Sequence, residues 1–330
     1  MSKAKYFNFS YSRHWHLLLV CLVVACVCTH HPVAATQLGF KRTESDQSIQ
    51  FDYRWIDADE KTHRVKLDFN KSELAERQRT LINYRPDIAQ RHIYIEVMKA
   101  IQNVDPREAR FDVQQMPSEL VIAVRASSQE KEQKWLQTMH NKQAQAYSNY
   151  LQDNHYNIFT TPTGVQSIKP DHRRFITDNV RIMLPIAKSL YNVLGDDISN
   201  RAFANLLLSW LQSIPYNALD DRRTSNGSGY LPPTEVINNN VGDCDSKTVL
   251  AASILRAIYP RLSMVIIYLP DHALLGATLP HLEEESRVEI NGLDYLLLEP
   301  TGPALFKVGE VAESTQFHIE SGMYTHEKVP

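Results

Sequence analysis

The fold is decided by one stretch of sequence, Gly242-Asp243-Cys244-Asp245-Ser246-Lys247, and by the apolar run that follows it. Gly242 permits a sharp backbone turn, and Asp243 has a side chain suited to capping the first turn of a helix. After this stretch the residues are nearly all apolar until Pro260, which cannot continue a helix. The sequence therefore predicts a buried helix of about four turns with Cys244 in its first turn.

The N-terminus has the layout of a secretory signal peptide. Lys3, Lys5 and Arg13 form a positive region, an apolar run follows at 17–28, and Val33-Ala34-Ala35 is a small-residue cleavage site. The apolar run has about twelve residues, whereas a membrane-spanning helix needs about twenty, so an uncleaved anchor is the weaker interpretation. We predict that residues 1–35 are a signal peptide of bacterial type and that the protein is exported to the periplasm.

A second interpretation of the same segment is a lipid anchor. Val23-Val24-Ala25-Cys26 resembles the lipobox of bacterial lipoproteins, which would tether the protein to a membrane through Cys26. Val27 and Cys28 continue the apolar run without the usual polar break, so we place this alternative second.

Cysteine usage favours a chemical role for Cys244. It is the only cysteine outside the predicted signal peptide. In the oxidising compartment that export implies, a lone thiol is a liability unless it has a function. Unpaired N–H groups and the positive end of the helix dipole favour a thiolate at a helix start. The alternative is a small apolar residue packed at that position, the commoner role of a single cysteine.

Composition restricts the class of protein. The 330 residues are 43% hydrophobic and 22% charged, as in an ordinary globular chain, which excludes a collagen-like or polytopic membrane protein. The formal net charge is −3, which argues against nucleic acid as the main partner. The length allows one large or two modest domains. We predict an α+β accessory region over 36–155 and a second α+β domain over 156–330; the oligomeric state is not indicated.

The predicted accessory region begins with a β-hairpin. Residues 49–55 and 65–69 alternate between apolar and polar, with a turn at 57–61 between them and a polar lead-in over 36–48 before them. Further patterns predict helices at 71–84, 86–103 and 128–155, and a strand at 119–126.

The second domain reads as helices followed by an antiparallel sheet. An irregular segment over 156–175 leads to predicted helices at 176–194 and 199–213, and a long loop at 216–241 precedes the Cys helix. After that helix the apolar period changes to two, which predicts strands at 262–269, 272–279, 287–290 and 293–299.

A nucleophilic cysteine needs a base to take its proton and a third group to orient that base. His272 opens one predicted strand and Glu299 closes another. If these strands are neighbours in a sheet packed on the Cys helix, the three side chains can converge. Asp294 and Glu289 are alternatives to Glu299, but both lie near the predicted hairpin turn, so we rank them below it.

The stretch 242–247 with its apolar helix resembles the core of the transglutaminase-like superfamily, of the bacterial transglutaminase-like cysteine peptidase type related to papain. Tyr230-Leu231-Pro232-Pro233-Thr234-Glu235-Val236 is similar to the Pro–Glu element before the family's nucleophile. Asp271-His272-Ala273 resembles its His strand, and Leu298-Glu299-Pro300-Thr301 resembles its Asp-Pro-Thr strand end, with Glu in place of Asp. The resemblance covers about 176–305.

The resemblance implies a papain-like or transglutaminase-like core in which Cys244 is the nucleophile, His272 the base and Glu299 the third member. It implies thiol-dependent acyl transfer, first as a peptidase or amidase acting on protein or peptide substrates. A protein-crosslinking transglutaminase and a non-catalytic binding module on the same fold are the alternatives. We name the Cys244 backbone N–H, Tyr230 and Asp243 as weaker oxyanion or pocket candidates.

No cofactor is expected, and no metal, because the second half lacks a Cys pair or a His-x-x-x-His spacing. Asp243 and Asp245 flank the thiol and could suggest a cation, but a helix cap and a surface carboxylate explain them better. Asp220-Asp221 and Arg222-Arg223 fit an exposed loop as well as they fit cation binding or substrate steering.

Overall fold

The Cys helix forms where the sequence predicts it. In the computed structural model, which describes residues 34–330 except 78–80, 117–118, 196–198 and 222–228, helix α8 spans Cys244–Ile258. The Asp243 side chain accepts a hydrogen bond from the Ser246 backbone N–H at 3.0 Å and caps the first turn. Every side chain from Ser246 to Leu255 is buried, so apolar packing on all sides holds this helix in place.

Helix α8 packs on a five-stranded sheet. The elements of the second half are β6 Tyr156–Thr160, β7 Gln166–Pro170, α4 His172–Asn179, a 3₁₀ turn Arg181–Met183, α5 Leu184–Leu194, α6 Asn200–Ser213, α7 Pro233–Asn239, α8, β8 Met264–Leu269, β9 His272–Ala277, β10 Arg287–Ile290, β11 Leu293–Leu298, α9 Glu313–Glu320 and β12 Thr325–Lys328. The sheet has the order β10-β11-β9-β8-β12, and all its pairings are antiparallel. The expected α+β class with antiparallel sheets is confirmed.

The sheet register brings the predicted base and acid to one edge. His272 opposes Leu269 at the tight β8–β9 turn, and Leu298 opposes Leu275 on β9. The first residue of β9 and the residue after β11 therefore lie at the same end of neighbouring strands. The Thr248 hydroxyl donates to the Ala273 carbonyl at 3.1 Å, which fixes the start of α8 against the start of β9.

The first half contains a second sheet and a helical hairpin. Its elements are β1 Thr36–Glu44, β2 Ser48–Ile56, β3 Thr62–Asn70, α1 Lys71–Arg77, α2 Pro86–Gln102, β4 Ala109–Gln115, β5 Leu120–Ala126 and α3 Gln129–Asp153. The predicted hairpin over 49–69, the helices at 86–103 and 128–155 and the strand at 119–126 are confirmed within a few residues. The predicted lead-in at 36–48 is wrong, because those residues form β1, which pairs antiparallel with β2.

Other predicted boundaries also need correction. The first predicted helix after the hairpin ends at Arg77, and the irregular segment before 176 is the β6–β7 hairpin followed by α4. The predicted helix at 176–194 is interrupted by the 3₁₀ turn, and the predicted loop at 216–241 contains α7. Strands β4 and β12 and helix α9 were missed, because exposed polar residues on one or both faces hide their periodicity.

One hydrophobic core joins the two predicted parts. Trp55 on β2 is fully buried and donates its indole N–H to the Ser209 hydroxyl on α6 at 2.9 Å. Tyr53 packs edge-on against Trp210, with ring centroids 5.3 Å apart, and donates to the Ile237 carbonyl at 2.9 Å. The boundary predicted at residue 155 thus runs through shared packing, and the described residues group into one compact unit.

The two targeting predictions lie outside the described residues. These are the signal peptide over 1–35, of which only the last two residues are described, and the lipid anchor at Cys26. Among the described residues, no helix has the length and apolarity needed to cross a membrane.

Candidate functional site

Cys244 is the first residue of α8, and its side chain is half-buried, so solvent reaches it. The backbone just before Cys244 is held by two hydrogen bonds of Gly242. Its N–H donates to the Pro215 carbonyl at 3.2 Å, and its carbonyl accepts from the Asn217 N–H at 3.3 Å. The φ angle of Gly242 is not positive, so the sharp turn expected there is absent. Gly242 instead forms an isolated parallel β-bridge with Tyr216. This bridge and the Asp243 cap together fix where the thiol stands.

The Cys244 thiol has the carboxyl group of Asp245 as its hydrogen-bond partner. Its Sγ donates to Asp245 Oδ1 at 3.7 Å, and among the described residues it makes no hydrogen bond to His272. Burial raises the pKa of the Cys244 thiol, and any negative charge on Asp245 or Asp243 raises it further. The backbone groups of Ala273 and Asp245 act in the opposite direction and lower the pKa of the thiol. Burial and the neighbouring carboxyl groups thus act against the thiolate that the helix start favours.

His272 and Glu299 form a direct pair. Nε2 of His272 lies 2.6 Å from Oε2 of Glu299, whose side chain is 3% exposed. Burial disfavours the charged ring, but the hydrogen bond and the charge of Glu299, with a smaller effect of Asp245, raise the pKa of His272 above its ordinary value. Because Nε2 faces the carboxylate, the neutral ring carries its proton there and leaves Nδ1 as the basic nitrogen.

Hydrogen bonds hold both the carboxylate and the backbone carbonyl of Glu299 in place. Its Oε1 accepts from the Thr301 backbone N–H at 2.9 Å, and its own carbonyl accepts from the Gln212 side chain at 2.6 Å. Gly302 passes so close to Gln212 that a Cβ there would lie 2.0 Å from the Gln212 carbonyl oxygen. A residue with a side chain cannot replace this glycine without moving the segment that carries the acid.

The weaker pocket candidates have other positions than expected. Tyr230 is fully buried, with its ring stacked on His172 at 4.9 Å between centroids, so it lies behind the thiol within the core. Asp243 accepts hydrogen bonds from the N–H and the hydroxyl of Ser246, so its carboxylate serves the helix cap. Neither side chain is placed as an exposed donor for an oxyanion.

The alternative acids are not beside the base. Glu289 and Asp294 oppose each other near the turn of the β10–β11 hairpin, and Asp294 lies 3.7 Å from His281. Asp220 is exposed, and Arg222-Arg223 lie outside the described residues. Of the acids weighed from the sequence, Glu299 is the one that contacts His272.

Three functional candidates were missed by sequence reasoning. His172 is fully buried at the start of α4, with Nε2 3.7 Å from Asp245 Oδ2. Lys247 is fully buried and donates to the Ile214 carbonyl, and burial lowers its pKa to about 8 against the opposing charge of Glu299. Tyr216 is 52% exposed beside the site, where burial of its hydroxyl and the nearby Cys244 raise its pKa. Of these three, only Lys247 could have been found from the sequence, because its position one turn after the cap predicts that its side chain faces inward.

One group of side chains in the site has the spacing of metal ligands. Ligand atoms of Asp243, Cys244 and Asp245 lie within 4.8 Å of one another, the one such group among the described residues. The cap occupies Asp243, and the thiol occupies one oxygen of Asp245, so the cluster does not by itself make a cation site. A cavity of about 780 Å³ lies between α2 and α3, lined by Tyr84, Ile93 and Tyr147, and Cys244 does not border it.

No protein-family model, curated protein or solved structure matches this chain. What the site can do must therefore follow from the chemistry of its own residues. A half-buried thiol at a helix start, a paired imidazole on the adjacent strand and a buried acid behind that imidazole are the parts of a nucleophilic site.

Proposed function

We propose that this chain is a thiol-dependent acyl-transfer enzyme with a papain-like or transglutaminase-like core, acting first as a peptidase or amidase. The observation that carries the proposal is the 2.6 Å pair between His272 and Glu299. His272 opens the strand whose next residue, Ala273, accepts a hydrogen bond at 3.1 Å from Thr248 on the helix that begins with Cys244. Base and nucleophile are thus on adjoining segments, and the acid fixes the ring tautomer that base catalysis needs.

The chemistry divides between the three residues. Cys244 attacks a peptide or amide carbonyl, and Nδ1 of His272 takes the thiol proton and delivers it to the leaving amine, whose bond to the acyl carbon breaks. A water molecule, deprotonated by the same nitrogen, then cleaves the thioester and restores the thiol. The Glu299 carboxylate stabilises the imidazolium that forms in each step, consistent with the raised pKa of His272.

Periplasmic export, from the predicted signal peptide at 1–35 or with a lipid tether at Cys26, is part of the same proposal. In an oxidising compartment a lone thiol is a liability unless it has a function, and Cys244 is the one cysteine among the described residues. The substrate class is protein or peptide, since the net negative charge gives no support to nucleic acid.

A specific observation favours the rival function, a non-catalytic binding module. The resting thiol donates to Asp245 rather than His272, and burial raises its pKa. If that arrangement persists in solution, Cys244 is an ordinary buried thiol and the His272–Glu299 pair is a structural contact.

Alkylation with iodoacetamide at pH 7 separates the two functions, read by mass spectrometry of the peptide that contains Cys244. We expect His272→Ala to slow the reaction by about tenfold or more, because a thiolate paired with imidazolium is the reactive form. His281→Ala is the matched control, because the partner of His281 is Asp294, whose Oδ2 lies 3.7 Å from its Nε2. A wild-type rate equal to that of free cysteine and unaffected by His272→Ala would support the binding module.

Incubation with casein and a fluorescent primary amine then distinguishes hydrolysis from crosslinking. We expect peptide fragments that disappear in Cys244→Ala. Amine incorporation without fragments would instead show that an amine accepts the acyl group, as in a transglutaminase.

A further inference from the structure

A buried histidine, His172, lies near Asp245, the residue that follows the nucleophile. His172 is fully buried, and its Nδ1 lies 2.9 Å from the hydroxyl of Tyr268 on β8. That hydroxyl donates to Glu327 Oε2 on β12 at 3.0 Å, and the same oxygen accepts from Lys169 at 2.8 Å. The Lys169 ammonium also lies over the Tyr268 ring, 4.9 Å from its centroid. The four side chains form one continuous hydrogen-bonded row.

The row fixes the proton positions. Glu327 pairs with a lysine and is an acceptor, so Tyr268 gives it the only hydrogen that a phenol has. The Tyr268 oxygen must then accept from His172, which puts the ring proton on Nδ1. Burial, with the charge of Lys169, lowers the pKa of His172 well below its ordinary value, so the ring is neutral. Its Nε2 is therefore an unprotonated lone pair, buried and without a hydrogen-bond partner among the described residues.

That lone pair points at the neighbour of the nucleophile. Asp245 Oδ2 lies 3.7 Å from Nε2, and the other oxygen of the same carboxyl accepts the thiol hydrogen of Cys244. A water molecule cannot stand between atoms this close, because two hydrogen bonds in a row span about 5 Å. A carboxylate facing a lone pair repels it, whereas a protonated carboxyl would donate to it after a movement of about 0.5–1 Å.

We infer that Asp245 and His172 share one proton between Oδ2 and Nε2, and that this pair keeps a neutral acid, rather than a negative charge, beside Cys244. The inference concerns the site of the proposed acyl-transfer function and rests on that function for its purpose. Both are positioning residues, since they act on the nucleophile and not on a substrate.

Charged groups on several neighbouring elements act on Asp245. Partial burial of its side chain, which is 29% exposed, raises the pKa of Asp245, while Lys169 on β7, the Cys244 hydrogen bond and His272 on β9 lower it. Two further carboxylates face it, Glu327 on β12 and Asp243 of the cap, and both disfavour a second negative charge. The net direction of the pKa of Asp245 is upward, which agrees with the shared proton.

The consequence is specific to the thiol. An ionised Asp245 would oppose a thiolate on the adjacent residue, since a like charge within about 4–6 Å shifts a pKa by one to three units. A neutral Asp245 removes that opposition and leaves burial and Asp243 as the groups that raise the thiol pKa.

The test is the apparent pKa of the Cys244 thiol, taken from iodoacetamide rates between pH 5 and 10 in the full chain. Asn has the shape of a neutral Asp, so Asp245→Asn is expected to change that pKa by less than half a unit. A larger change overturns the inference, and a fall of one unit or more would show that a negative charge had been removed.

A second variant reports on His172 itself. His172→Gln places an amide N–H near the position of Nε2, where it donates to Asp245 and stabilises the carboxylate. We expect the thiol pKa to rise by about one unit, and Asp245→Asn in the same chain to reverse the rise. A rise that the double variant does not reverse indicates only a structural role and overturns the assignment of His172. His281→Gln is the matched control.

These measurements are independent of hydrolysis. If His172→Gln does not fold, as judged by circular dichroism, Asp245→Asn alone decides the inference. Failure of the proposed function shows instead as a thiol that ignores His272→Ala, whatever Asp245→Asn does.

Discussion

At the scale of single residues, the segments around the thiol carry two histidines of opposite character. Solvent reaches the side chain of His272, and the pKa of its ring is raised by Glu299, whereas His172 is enclosed and the pKa of its ring is lowered by burial. The difference comes from their partners: a carboxylate stabilises the charged ring of His272, and a phenol does not do so for His172.

Glu299→Gln tests the orienting role of the acid. Oε1 already accepts from the Thr301 N–H, so the new amide NH₂ faces Nε2 and forces the ring proton onto Nδ1, the nitrogen needed as a base. We expect the hydrolysis rate to fall by about 10²–10⁴-fold. The pKa of His272, followed by NMR, should fall toward 6.5.

The same variant has a pH signature in stability. Because the folded pKa of His272 is raised, its pairing stabilises the fold below its unfolded pKa, and this stabilisation is lost as the pH rises through the folded pKa. The loss of unfolding free energy in Glu299→Gln should therefore be greater at pH 5 than at pH 9. An equal loss at both values would contradict the charged pair.

At the scale of elements, the first turn of α8 makes the hydrogen bonds that connect the segments of the site. Its cap orients the first turn, the Ser246 hydroxyl accepts from the Leu231 N–H at 2.7 Å, and the Thr248 hydroxyl bonds to β9. One turn of helix thus fixes the loop before α7, the thiol and the strand that carries the base.

Asp243→Ala should lower the free energy of unfolding by about 1–2 kcal/mol, because the Ser246 N–H loses its acceptor. Asp243→Asn keeps an acceptor and is the matched control, with a smaller loss in urea denaturation. Equal losses in both variants would mean that the charge, and not the cap, is what matters.

The control also has a predicted pH dependence. Burial raises the pKa of Asp243 to about 7. The wild-type protein therefore loses stability as the pH rises from about 4 to 7, because the acid ionises more readily in the unfolded chain, whereas Asp243→Asn has no such loss. The free energy of unfolding of Asp243→Asn, relative to that of the wild type, should therefore be highest above pH 7 and lowest near pH 4.

At the scale of the whole molecule, the first sheet and the Cys helix share one core. Trp55→Ala removes a fully buried indole and its bond to Ser209, at a cost of about 3–5 kcal/mol. We expect near-ultraviolet circular dichroism and the exposure of Cys244 to alkylation to shift together to a lower temperature.

Trp135→Ala is the control for this shift, because Trp135 packs in a separate cluster with α2, α3 and the β4–β5 hairpin. It should leave the alkylation transition of Cys244 nearly unchanged. If Trp55→Ala also leaves that transition in place, the two halves unfold independently and the domain boundary predicted at 155 is supported.

The sequence by itself determined the elements with strong local signals. A cap, an apolar run and a terminating proline define α8, and alternation defines the β2–β3 hairpin and most strands of the large sheet. It also singled out Cys244, His272 and Glu299, because their positions follow from strand and helix ends. His272 and Glu299 are in contact, as expected, while the meeting of Cys244 with this pair and the catalytic roles of all three stay predictions.

Only the tertiary structure decided where the thiol hydrogen goes and what lies behind it. His172, Tyr268 and Glu327 belong to α4, β8 and β12, which are far apart in the chain and meet through sheet pairing and helix packing. No local pattern marks such residues, because burial and partner identity arise from contacts between distant segments. The same reason explains why the shared core across residue 155 could not be read from composition or periodicity.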